Sequence, residues 1–190
     1  MATAELRCSL EKFAAFARSL RGDEKSEAQG FLERFFRALG HEGVMEAGAT
    51  FEFRIAKKPG TAQLELIKGD GTAAKGGKKF ADLLWPERVL IEMKSRGAKL
   101  ERHYDQAFDY WTHIVPHRPP YVILCNFDEF WIYDFNQQLF DPVERVSLRN
   151  AASIFRGEGK GKNDGGMWKW QRAEFWSAAV LCRFSPEPSG

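Results

Sequence analysis

The sequence predicts an α/β (α+β) domain in which a mixed central sheet is flanked by helices. Three observations predict it. Two amphipathic stretches occupy residues 5–20 and 24–39, and two short apolar runs, 81–85 and 89–93, are separated by Pro86-Glu87-Arg88. A helical pattern over residues 99–115 then leads into the all-apolar run 121–125. Strands joined by a tight loop are antiparallel, whereas a helical crossover returns the chain to a parallel strand. At 190 residues, with 44% hydrophobic and 28% charged side chains, the chain is long enough for one domain with a real core. That domain is expected over residues 1–154, with 155–190 as an appendage.

The elements follow in order. Leu6, Leu10, Phe13, Phe16 (or Ala17) and Leu20 recur at helical spacing, as do Ala28, Phe31, Leu32, Phe35, Phe36 and Leu39. Arg21-Gly22-Asp23 breaks the first helix from the second, Asp23 or Ser26 serves as N-cap, and Gly40 closes the second helix. Residues 51–55 and 62–67 alternate as strands do, with 57–60 as the turn between them and 68–77 as a Gly- and Lys-rich basic loop. Proline fixes its own φ and offers no N–H to a ladder, so 81–93 reads as a hairpin around Pro86. A three-residue loop sets Trp85 opposite Val89, Leu84 opposite Leu90, Leu83 opposite Ile91 and Asp82 opposite Glu92. In the third helix Leu100, Tyr104, Ala107, Phe108, Trp111 and Val115 form the apolar stripe. Residues 121–125 then suit a buried parallel strand, and 130–135 a further strand after a turn at 126–129. Residues 156–166 read as a Gly-rich linker, and 167–184 carry Trp168, Trp170 and Trp176, which must pack on the core or on a partner.

The hairpin concentrates charge where apolar residues surround it. Side chains alternate along a strand, so Glu92 and Lys94 share one face with Asp82. Directly opposed like charges are destabilising, which makes two carboxylates here costly unless a cation or a reaction uses them. Taken alone, Glu-x-Lys is a common surface ladder. The Asp82 spacing and the Leu, Ile and Val on either side argue for chemistry instead. An Asp, nine intervening residues, then Glu-x-Lys is the PD-(D/E)xK nuclease pattern. Hard divalent cations such as Mg2+ take carboxylate oxygen, water and phosphate. Asp82, Glu92 and the main-chain carbonyl of Met93 are the expected ligands, and Lys94 the group that orients water and offsets developing charge. Gln106 and Tyr110, one turn apart on the following helix, are placed to reach the same cleft, whereas His103 and His113 read as solvated. Glu27 is placed to point along its helix toward that cleft, although an exposed acid near a helix N-terminus is the commoner role.

Composition narrows the context. No run approaches the roughly 18 apolar residues of a membrane span, and no signal-peptide pattern is present. Cys8, Cys125 and Cys182 are odd in number and far apart, so neither a disulfide framework nor a zinc site is expected, and a reducing cytoplasm is the expected compartment. The net charge of +2 does not by itself call for nucleic acid. Lysines and arginines gather around the hairpin, however, and Lys78, Lys79, Arg96 and Lys99 are the candidates for contact with a DNA backbone.

The context FADLLWPERVLIEMKSRG, followed by YDQAFDYW and YVILCNFDEFWIYD, resembles the N-terminal nuclease domain of MmeI-like (Type IIL) restriction–modification enzymes over residues 24–148. The resemblance implies a restriction-endonuclease-like core, α-β-β-β-α-β, and Mg2+-dependent phosphodiester hydrolysis of DNA, with Mn2+ able to replace Mg2+. It implies catalytic roles for Asp82, Glu92 and Lys94. Gln106-x-x-x-Tyr110 is similar to the QxxxY motif of RecB-like nucleases, and Glu27 is similar in placement to a helix-borne acid of some relatives. The enzymes it resembles join this domain to a methyltransferase and a target-recognition domain, so a methyltransferase or target-recognition subunit is an implied partner. The competing expectation is a non-catalytic DNA-binding or assembly module that works with such a subunit.

Overall fold

The computed structural model describes residues 3–55, 79–116 and 118–148. The expected strand at 62–67, the basic loop at 68–77 with Lys78, and the linker and tail at 155–190 lie outside the described residues.

Helix α1 runs Thr3–Ser19 and α2 runs Glu24–Ala38, and the two pack against each other across a short connection. Among the described residues six strands follow: β1 Thr50–Ile55, β2 Lys79–Trp85, β3 Val89–Met93, β4 Tyr121–Cys125, β5 Glu129–Tyr133 and β6 Glu144–Ser147. Their order in the sheet is their order in the chain, and only β3 and β4 run parallel. The crossover between those two contains a 3-10 turn, Leu100–His103, and then α3, Tyr104–His113. The expected mixed sheet between helical layers is therefore present. Among the described residues no helix is long and apolar enough to cross a membrane.

Two cores lie on opposite faces of the sheet. The α1–α2 pair covers one, where Phe13, Phe31, Phe35 and Phe130 pack ring against ring, Phe35 and Phe130 with centroids 5.0 Å apart. Helix α3 covers the other, where Tyr104, Phe108, Trp111 and Tyr133 surround Phe135. Strand β3 is buried along its whole length, as a central strand with a helical layer on each side must be.

Three of the four expected hairpin pairs are made, Leu83 with Ile91, Leu84 with Leu90 and Trp85 with Val89, whereas Asp82 does not pair with Glu92 and its carboxylate instead accepts from the Met93 N–H. Two further expectations need correcting. The third helix is shorter than residues 99–115, and Val115 is exposed while Ile114 is buried in its place. The chain leaves the helix at Ile114, whose extended backbone turns that side chain back onto the core. Strand β6 has no counterpart among the elements expected from the sequence. Its four residues are too few and too polar to show a strand pattern alone, and pairing with β5 holds it.

Candidate functional site

Beyond Leu83 and Ile91 the β2–β3 ladder stops, while β3 goes on pairing with β4 as far as Met93 and Cys125. At that opening the Met93 N–H donates not to β2 main chain but to Asp82 Oδ2, at 2.6 Å. Strand β3 delivers Glu92 to the α3 side of the opening. There Glu92 Oε1 accepts from Lys94 Nζ and from Gln106 Nε2, each at 2.7 Å. Gln106 also donates to the Tyr110 hydroxyl at 2.9 Å, so the two residues one turn apart on α3 act as a unit. The Lys94 main-chain N–H is bonded to Cys125 O at 2.7 Å, which fixes the base of this side chain to the sheet. Asp82, Glu92, Lys94, Gln106 and Tyr110, picked out in the sequence, thus converge.

Burial sets the electrostatics. Glu92 is 3% exposed and Lys94 6%. Burial, reinforced by the neighbouring Asp82 charge, pushes Glu92 from the usual 4.5 to about 7, against the opposing pull of Lys94. Burial also raises Asp82, although the Met93 N–H and Lys94 work the other way. Burial alone would lower Lys94; its attraction to Glu92, Glu24 and Asp82 outweighs that and holds the ammonium above its ordinary value. The second Glu92 oxygen, Oε2, is buried and has no hydrogen-bond partner. A carboxylate oxygen left in that state costs about 1–3 kcal/mol or more, so it calls for a ligand.

A hard divalent cation fits this donor set. Asp82 and Glu92 offer carboxylate oxygen and Met93 a main-chain carbonyl, and Mg2+ ordinarily completes such a shell with water and substrate phosphate. Among the described residues no three His, Cys, Asp or Glu side chains form a group that could by itself hold a metal ion.

Three residues near the site carried no sequence signal of their own. Glu24, the first residue of α2, lies with Oε1 3.5 Å from Lys94 Nζ. His103, the last residue of the 3-10 turn and read as solvated in the sequence, is half-buried; burial and then Lys94 depress its pKa, and Glu24 opposes them. Glu52 on β1 adds negative potential at Asp82. Each is recruited from another element by the fold, so spacing within one stretch cannot reveal it.

Other candidates have different roles. Glu27 does not face the cleft: its carboxylate accepts from the backbone N–H groups of Arg21, Gly22 and Asp23, at 3.2, 2.6 and 2.9 Å, and so closes the turn before α2. Arg96, expected on DNA, is committed to α1 instead. Its guanidinium donates to the Leu20 and Ala17 carbonyls and pairs with Asp128, capping the helix C-terminus. Lys79 pairs with Asp109 at 2.8 Å and lies 5.9 Å from the centre of the Tyr110 ring, on the rim of the site. Lys99 is exposed just before the 3-10 turn, and Lys78 lies outside the described residues.

Residues 9–153 match the family model described as "MmeI, N-terminal domain". No curated protein and no solved structure matches the chain.

Proposed function

Since this chain belongs to the MmeI N-terminal domain family, we propose that it is the DNA-cutting part of a restriction–modification system, a PD-(D/E)xK endonuclease that hydrolyses phosphodiester bonds with Mg2+. The observation that carries the proposal is the buried Glu92 carboxylate, with one oxygen held by Lys94 and Gln106 and the other unpartnered.

In this reading Asp82 and Glu92 hold the ion together with the Met93 carbonyl. Bound Mg2+ supplies polarisation of the scissile phosphate and a water of lowered pKa. The rest is the work of the chain. The Met93 N–H fixes the Asp82 carboxylate. Gln106 fixes the Glu92 carboxylate, and through Tyr110 joins it to the substrate side of the cleft. Lys94, held between Glu92 and Glu24, keeps its proton and offsets negative charge that develops on the phosphate in the transition state. The partners implied are DNA and a methyltransferase or target-recognition subunit. Exposed Lys99 and the rim residue Lys79 favour backbone contacts, so binding should be sequence-independent and fall steeply with salt.

The test is incubation of supercoiled DNA with the protein and Mg2+ or Mn2+, beside Glu92→Ala and Lys94→Ala. Cleavage by the wild type that both substitutions abolish is the expected result. Metal-dependent cleavage that survives both would refute the assignment. Salt-sensitive DNA binding without any cleavage would make the chain a binding or assembly module.

A further inference from the structure

The rung of the sheet that carries Asp82 is broken in both strands that share it. In β2, Trp85 and Leu83 pack on the α1–α2 side and Leu84 on the α3 side, as alternation requires; Ala81 should join Leu83 but packs on the α3 side. Strand β1 does the same: Phe51 packs on the α1–α2 side, and Phe53, two residues on, on the α3 side. The pairs Phe51–Leu83 and Phe53–Ala81 are made, while Glu52 and Asp82 between them form no pair. At that point Glu52 has φ +50, a left-handed conformation in the middle of a strand. That conformation is strained for any residue with a Cβ, and β-branched residues adopt it least readily.

We propose that Glu52 is a positioning residue that acts through its backbone. Its left-handed turn lets β1 follow the reversal in β2, and that reversal swings Asp82 out of the ladder, toward the Met93 N–H and Glu92. The assignment rests on the metal-site reading only for its consequence on metal binding; the kink and the Asp82–Met93 bond are independent of it.

The Glu52 side chain is the alternative actor, since its carboxylate accepts from Gln29 Nε2 at 3.0 Å and adds negative potential at Asp82. Four substitutions separate the two. Glu52→Gly, Glu52→Asn, Glu52→Ala and Glu52→Val all remove the charge and differ in how readily they adopt positive φ. For the backbone role, melting temperature in chelator should fall in the order Gly, Asn, Ala, Val, the reverse of what an ordinary strand position gives Gly and Val. The Met93 amide, followed by NMR hydrogen exchange without metal, should stay protected in Gly and Asn and lose protection in Val. Mg2+ affinity, by titration calorimetry, should stay within about twofold of wild type in Gly and Asn and weaken roughly 10–100-fold in Val. If Val does not fold, Ala carries the same comparison against Gly and Asn. Equal loss in all four variants would assign the role to the carboxylate and overturn the proposal. Equal retention in all four would overturn it too, because the kink would then not depend on residue 52. Should the wild type bind no Mg2+ while the Met93 amide still follows the predicted order, the metal reading fails and the positioning role stands.

Discussion

Replacing Glu92 by Gln removes the most perturbed carboxyl of the site at nearly constant shape. In the metal-free protein Glu92 titrates near 7 instead of 4.5. Below pH 4.5 it is protonated in both folded and unfolded chains and the pH has no leverage through it. As the pH rises toward 7 the unfolded chain ionises while the folded one holds its proton, so the fold loses stability. The loss is complete just above pH 7 and amounts to about 3 kcal/mol. For a chain of this length that is roughly 6–12 °C of melting temperature. Asp82, also raised, titrates with Glu92 as a coupled pair, so the difference between wild type and Glu92→Gln is the quantity to read. Thermal unfolding in EDTA between pH 4.5 and 8 should show the wild type falling relative to the variant. Added Mg2+ should reverse the trend, because binding requires the ionised carboxylates: the metal should stabilise the wild type more at pH 8 than at pH 5.5, and the variant little at either. Parallel pH curves for the two proteins in EDTA would refute the reasoning.

Asp82→Asn keeps an acceptor for the Met93 N–H; it should raise the melting temperature in chelator and lose most of the increment that Mg2+ gives the wild type, about 2.7 kcal/mol at a hundredfold excess over Kd. Glu24→Gln should reduce the rate of DNA cleavage with little change in melting temperature, whereas Glu27→Gln should lower the melting temperature and leave the cleavage rate of the folded protein unchanged; the opposite split would exchange their roles. Gly22→Ala should destabilise by more than the ~1–2 kcal/mol that a left-handed backbone costs, measured by urea unfolding, since Gly22 has φ +83 and an added Cβ would stand 2.3 Å from Arg96 Cβ.

Most of the sheet was legible because local chemistry specifies it. Pro86 and a three-residue loop set the hairpin register, and register fixes which side chains meet. Asp82, Glu92 and Lys94 could be picked out for that reason, and Gln106 and Tyr110 because helical spacing puts them on one face. Local patterns failed where a contact spans elements. Glu24 and Glu27 lie one turn apart and look alike in sequence, yet a loop only a few residues long gives Glu27 three N–H donors and leaves Glu24 to Lys94. Arg96 reads as a surface cation until α1 is seen to end beneath it. The reversal at Glu52 is invisible for a stronger reason: Phe51 and Phe53 on either side of it keep the alternation of an ordinary strand, and the backbone of Glu52 and the facing of Phe53 and Ala81 in the assembled core disclose it.

Lys94 and Arg96 sit two residues apart, yet one reaches back 70 residues to Glu24 and the other 79 residues to Ala17. The Arg96 N–H also bonds to Gly22 O at 2.8 Å. The turn of the N-terminal helical hairpin is thereby latched onto the segment that leaves β3. Contacts of such long sequence separation carry a high loop-closure cost and are late to form. Seating the hairpin and ordering the lysine should then be a single step of assembly. Pulse-labelled refolding should find the Gly22 and Arg96 segments gaining protection together, after the β2–β3 hairpin.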